Sequence, residues 1–135
     1  MRDRISRELE LLKAAWPDID HAEVSGEDWF RLPRYPFPNG WLLDGRPVST
    51  APILFTANAA YPGSDPYAFW APKGLTYNGV QPNNATEVES AAFGGTWLQF
   101  SWSPDGDWQP AEPPEKGSNL RVWAESFYKR LKEGV

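Results

Sequence analysis

Residues Phe93 to Pro110 read FGGTWLQFSWSPDGDWQP, and the reading of this stretch decides how the rest of the chain is arranged. It holds three of the eight tryptophans, two serines and two aspartates. Thr96 to Phe100 largely alternate polar with bulky apolar side chains, the period of a half-buried strand. Ser101 ends that run. Ser103-Pro104-Asp105-Gly106-Asp107 then predicts a turn, because proline presets φ and Asp-Gly tolerates the positive φ that turns demand. A hydroxyl at the point where a strand gives way to a loop, with carboxylates nearby in sequence, is a place for chemistry. It is also an ordinary place for a turn-capping serine.

Working outward, the totals bound what the chain can be. Its 135 residues are enough for one domain with a real core, expected to span residues 1–135. With 41% hydrophobic and 15% aromatic residues, the 14 prolines and 11 glycines predict many turns rather than disorder. The formal charge is 13 − 18 = −5, which argues against a nucleic-acid backbone or an anionic membrane surface as partner. There is no cysteine, so a disulfide framework, a thiolate nucleophile, a thioester and any cysteine-ligated metal site are excluded by composition. No metal site or cofactor is expected. The N-terminal segment lacks an apolar leader and no window reaches membrane-spanning length, so the expected location is cytoplasmic.

Ahead of the central stretch, Asp3 is placed to cap a helix from about Arg4 to Trp16. Ile5, Leu9, Leu12 and Trp16 form its apolar stripe, Arg7 and Glu10 lie on the solvated side, and Pro17 stops it. Pro17 to Glu27 reads as a polar linker holding His21, the single histidine, as a surface residue. Asp28 to Tyr35, Gly40 to Asp44 and Pro47 to Asn58 predict three strands of an antiparallel meander. Asp44-Gly45 closes a hairpin there, and Pro33, Pro36, Pro38 and Pro52 fall at edges or bulges. The proline-rich connector Tyr61 to Tyr67 leads to a short strand, Tyr67 to Trp70. Pro72 to Ser90 reads as irregular, a candidate flap over the central stretch. Behind that stretch, Ala111 to Gly117 is a polar loop. Ser118 is the expected N-cap of a final helix with the stripe Leu120, Trp123, Phe127, Leu131 and a stop at Gly134. The order predicts an α+β fold, helices at the ends of an antiparallel sheet.

Tyr61-Pro62-Gly63-Ser64-Asp65-Pro66, the strand after it, Trp97-Leu98-Gln99-Phe100-Ser101, Trp108-Gln109-Pro110 and the helix around Val122-Trp123 together resemble the ubiquitin-conjugating E2 fold. Within it, they are most similar to the prokaryotic E2 family E. The resemblance covers about residues 28 to 133. It implies a UBC-like architecture: an N-terminal helix, a four-stranded antiparallel meander, an irregular active-site segment and a C-terminal helix. It also implies a place in a bacterial ubiquitin-like conjugation pathway, with an E1-like adenylating enzyme and a ubiquitin-like protein as partners. The departure is the missing cysteine. Two chemistries then survive.

In the first, Ser101, seven residues before Trp108, carries the modifier as an oxyester, with Ser103 as fallback. A serine hydroxyl needs a base and an oxyanion site. Asp105 and Asp107 are the acids near it in sequence, Asn83 and Asn84 are candidate oxyanion donors, and Trp97, Trp102 and Trp108 frame the site. In the second, the fold is kept as a non-catalytic E2 variant, an adaptor that binds a ubiquitin-like protein or an E1. A third reading takes Trp97, Trp102 and Trp108 as an exposed aromatic platform for carbohydrate or peptide.

Overall fold

The computed structural model describes residues 2–104, 106 and 108–135. Chain order gives α1 (Asp3–Ala15), β1 (Asp20–Val24), β2 (Glu27–Pro36), β3 (Trp41–Leu43), β4 (Arg46–Pro47) and β5 (Thr50–Ala57). Then follow β6 (Phe69–Pro72), β7 (Leu75–Tyr77), β8 (Ala85–Glu89), β9 (Thr96–Phe100), a 3-10 turn (Pro114–Lys116) and α2 (Leu120–Glu133). The architecture is α+β, as the element order predicts. The main sheet has six strands in the order β1-β2-β5-β6-β9-β8, and every pairing in it is antiparallel. A smaller sheet, β4-β3-β7, stands apart from it.

Both helices form for the reason their sequences give. Ile5, Leu9 and Leu12 are buried along α1, and Leu120, Trp123, Phe127 and Leu131 along α2. Pro17 lacks the N–H that would continue α1, which ends at Ala15. The caps differ from expectation. Asp3 is the first helical residue rather than the cap, and no side chain caps α1. At α2 the cap is Asn119, one residue beyond Ser118, and its Oδ1 accepts from the Val122 N–H at 3.0 Å. Gly134 ends α2 with φ +73°, and a Cβ there would lie 2.6 Å from the Tyr77 ring, so glycine is required twice over.

The sheet is antiparallel as expected, but its meander is not the expected one: β2 pairs directly with β5, and the strand expected between them lies elsewhere. Pro17 to Glu27 is not a linker, because Asp20–Val24 pairs along the edge of β2, from Asp20 opposite Arg31 to Val24 opposite Glu27. β3 leaves the main sheet for the smaller one, where Leu43 faces Arg46 across the Asp44-Gly45 turn. Both turn residues have positive φ, +52° and +82°, the geometry that matches the twist of a two-residue hairpin. The ladder between β2 and β5 shifts between Leu32 and Tyr35, a bulge that contains Pro33. Pro72 to Ser90 is not an irregular flap: β7 joins the smaller sheet and β8 pairs with the whole of β9.

One face of the main sheet carries the core. Phe30, Leu32, Ile53, Phe55, Phe69, Ala71, Leu98 and Phe100 pack with the buried stripes of both helices in one cluster. Phe69 stacks on Phe127 at 4.5 Å and on Phe100 at 5.0 Å. Two polar groups inside it are paired across elements: the Trp41 Nε1–H donates to the Leu131 carbonyl at 2.8 Å, and the Tyr35 hydroxyl donates to the Ala124 carbonyl at 2.6 Å. Burial pushes the Tyr35 hydroxyl well above its ordinary range, which keeps it a donor. Among the described residues no helix is long and apolar enough to cross a membrane.

Candidate functional site

Ser101 directly follows β9, and its backbone N–H donates to the Asn84 carbonyl at 2.9 Å. That bond extends the β8–β9 ladder by one step, since Ala85 is paired with Phe100. The structure therefore brings Asn84 beside Ser101, although sequence places them 17 residues apart. Asn84 sits at φ +56°, a left-handed turn residue leading into β8. Asn83 is anchored from behind, its carbonyl accepting from the Arg130 guanidinium at 2.8 Å. That guanidinium is buried, also donates to the Gly134 carbonyl at 2.8 Å and lies 5.1 Å from the centre of the Phe100 ring. Burial lowers its pKa. The Asn83-Asn84 corner is thus held by main-chain contacts, and among the described residues neither asparagine side chain has a hydrogen-bond partner.

Tyr67, Ser101, Trp102 and Ser103 line an open depression of about 260 Å³. Ser101 and Ser103 are exposed, and Tyr67 is 54% exposed. Among the described residues neither serine hydroxyl has a hydrogen-bonded base. Asp105 and Asp107, the carboxylates that sequence places nearest, lie outside the described residues.

The three framing tryptophans do not form one platform. Trp102 and Trp108 pack at the margin of the core beside α2. The Trp102 Nε1–H donates to Ser126 Oγ at 3.1 Å, and the Trp108 ring lies 6.1 Å from that of Tyr61. Trp97 belongs to the other side of the sheet. Its cross-strand partners are Pro72 and Val88, while Gln99, two residues on, faces Trp70 and Thr86. Trp70 in turn faces Leu54, Leu54 faces Arg31, and Trp29 faces Thr56. Cross-strand partners share a face, so Trp29, Leu54, Trp70 and Trp97 line the face that the helices do not cover.

Trp29 and Trp70 touch at 4.8 Å between ring centres. Leu54 is fully buried yet stands outside the main core cluster, because it is covered from this outer side. Two indoles are fixed in place: Trp70 Nε1–H donates to Gln99 Oε1 at 3.1 Å and Trp97 Nε1–H to the Gly94 carbonyl at 2.8 Å. Beside Trp97 a shallow depression of about 290 Å³ runs past Pro52, Pro72, Lys73 and the Gly94-Gly95 turn. Arg31, the charged residue of this face nearest its centre, pairs with Asp20 at 3.8 Å. Sequence alternation in β2, β6 and β9 contained this face, but the strand order needed to assemble it was not legible.

Two polar clusters went unseen in the sequence. His21 is not a surface residue in a linker. It lies on β1, half-buried, with Nε2 2.8 Å from Oδ1 of the buried Asp28 and its ring 5.2 Å from Phe30. Arg2 approaches the same carboxylate at 3.7 Å and also donates to the carbonyls of Asn58 and Tyr61. β1 is the far edge of the sheet from β9, so this pair cannot serve Ser101.

The second cluster centres on Glu8, which is fully buried. It accepts from Arg4 Nε, from the Tyr61 hydroxyl and from the Leu120 N–H, each at 2.6 Å. Burial, and then the bond to Glu8, push the Tyr61 hydroxyl far above its ordinary pKa, so it stays a donor. One carboxylate thereby ties α1, the Tyr61-Pro62 connector and the N-terminus of α2, where negative charge is favoured.

Among the described residues no three His, Asp or Glu side chains converge as a metal site. The chain matches no protein-family model, no curated protein and no solved structure.

Proposed function

We propose that the chain is an E2-like, non-catalytic adaptor that binds a ubiquitin-like protein or an E1-like adenylating enzyme through the outer face of its main sheet. The observation that carries this is the outer-face row of half-buried Trp29, Trp70 and Trp97 over the buried Leu54, an aromatic centre with its one central charge already paired. Tryptophan is enriched in the central, energetically dominant positions of protein interfaces, and indoles already fixed by internal hydrogen bonds lose little freedom on binding. The order of elements supports the E2-like frame: a helix, the meander β1-β2-β5-β6, and a closing helix on the opposite face.

A second reading, the oxyester enzyme, draws on the exposed Ser101 hydroxyl beside the Asn83-Asn84 corner. It requires a base, and Asp105 and Asp107, the acids that sequence places nearest, lie outside the described residues. The adaptor reading stands first because it rests on the outer-face tryptophans, whose positions are described.

One experiment separates them. The chain is incubated with a bacterial E1-like enzyme and its ubiquitin-like protein, with ATP, then examined by intact-protein mass spectrometry and by calorimetric titration. The adaptor reading expects a non-covalent complex that Trp70→Ala with Trp97→Ala weakens at least tenfold. Unchanged affinity in that variant would remove the outer face from the reading, and no complex with either protein would remove the pathway. An adduct that survives thiol reductant, is cleaved by hydroxylamine and is absent in Ser101→Ala would replace the adaptor with the enzyme.

A further inference from the structure

The main sheet has two margins, and they differ. Along β1, at one margin, Asp20 is paired with Arg31 and His21 with Asp28. β8 is the other margin, with β9 on one side of it and no strand on the other. Its hydrogen-bonding phase is set at its two ends. The Ser101 N–H donates to the Asn84 carbonyl at 2.9 Å and the Ser90 N–H to the Gly95 carbonyl at 3.0 Å, and both bonds continue the β8–β9 register. Hydrogen-bonded and non-hydrogen-bonded pairs alternate along an antiparallel ladder. Thr86 and Val88 therefore turn their N–H and C=O groups to β9, and Ala85, Glu87 and Glu89 turn theirs outward.

Side chains divide along the same rim. Glu87 lies opposite Leu98, a core residue, and Glu89 opposite Thr96, so both carboxylates stand on the helix side of the sheet, and both residues are exposed. Among the described residues neither has a basic partner, whereas Glu10, Asp18, Asp20 and Glu125 elsewhere on the surface each have one. Val88, between them, is half-buried on the outer side, opposite Trp97. The rim thus combines outward N–H and C=O groups, uncompensated carboxylates on one side and an apolar contact on the other. Like charges directly opposite weaken a strand pair and opposite charges strengthen it, so the strand that matches this rim is basic.

We propose that β8 takes an extended basic segment of another protein as an added antiparallel strand, with lysine or arginine opposite Glu87 and Glu89 and an apolar residue between them opposite Val88. Main-chain hydrogen bonds at Glu87 and Glu89 hold the segment, and the carboxylates select its charge and its register. The rim runs along the margin of the sheet rather than across its broad outer face, and its binding does not depend on the pathway proposed above.

The test is a titration of the ¹⁵N-labelled full chain with the peptide acetyl-Ser-Lys-Val-Lys-Thr-Ser-amide, followed through assigned backbone amide signals. The Ala85, Glu87 and Glu89 amide protons are expected to move downfield, to saturate and to exchange more slowly with solvent, while those of β1 stay in place. Control peptides are expected to lose binding: acetyl-Ser-Val-Lys-Lys-Thr-Ser-amide, which breaks the alternation, and the parent peptide N-methylated at both lysine backbone nitrogens, which removes the donors. Glu87→Lys with Glu89→Lys changes exposed positions alone. In that variant affinity for the basic peptide should fall roughly tenfold or more, and acetyl-Ser-Glu-Val-Glu-Thr-Ser-amide should bind in its place. The proposal is overturned by β8 amide signals that stay in place, by either control binding as well as the parent peptide, or by a variant that keeps the original preference.

Discussion

The Glu8 cluster and the Ser101 corner are opposites. Glu8 is fully buried and receives three hydrogen bonds from three separate parts of the chain, yet in the sequence it is one more polar letter in an amphipathic helix. Ser101 sits at the most conspicuous point of the sequence, yet its side chain is exposed and what ties it to Asn84 is its backbone N–H. The environment that resembles an active centre, buried, charged and rich in hydrogen bonds, holds the fold together. The residue that resembles a nucleophile lies in the open. Burial of charge is therefore a poor guide to function here, because the same physics that tunes a catalytic group also locks helices to one another.

That contrast can be broken by substitution. Glu8→Ala should cost about 3–5 kcal/mol, since it leaves Arg4, the Tyr61 hydroxyl and the Leu120 N–H without their shared acceptor. Urea unfolding followed by tryptophan fluorescence measures it, and a loss below about 1 kcal/mol would show the cluster to be replaceable by water. Ser101→Ala should change stability by less than about 0.5 kcal/mol, the usual range for an exposed site whose backbone bond is kept. A large drop in melting temperature would mean that its hydroxyl is structural after all.

The smallest effect sharpens the same point at the surface. Arg7 makes a two-pronged contact with Glu112 and an ion pair with Asp3 at 3.1 Å, so it is more than a solvated residue. Its hydrogen bonds hold the Glu112 carboxyl below the ordinary value of 4.5. A depressed carboxyl contributes stability that is complete above its unfolded pKa and is lost as pH falls through the folded one. Glu112→Gln should therefore lower stability slightly at pH 7, where the contribution is complete, and the curves of the two proteins should converge on the acid side of about pH 4.5. Melting temperatures of both proteins from pH 7 down to 3 decide it, and parallel curves would show that the pair contributes nothing.

The sequence was most readable where a single element carries its own period. The stripes of α1 and α2, the strand Thr96–Phe100 and the Asp44-Gly45 hairpin are local patterns, and the structure has all of them. Where partners decide, reading failed. β1, with the sequence DHAEV, is an edge strand with no buried residue and no clean alternation, so it passes for a linker. β8 is likewise polar and becomes a strand only because β9 lies beside it. The proposed tryptophan frame failed in the same way. Trp97 and Trp102 are five residues apart, but the chain leaves the sheet between them and sends one to each side of the molecule. Trp29 and Trp70, the true neighbours on the outer face, become adjacent only through β5.

β8 carries one more consequence. A strand at the margin of a sheet offers unused N–H and C=O groups that another copy of the chain can join, the usual first step of aggregation. In β8 the five residues include Glu87 and Glu89, both exposed, so a second copy aligning its own β8 there would bring like charges together. Charge therefore opposes growth of the sheet along the β8 rim.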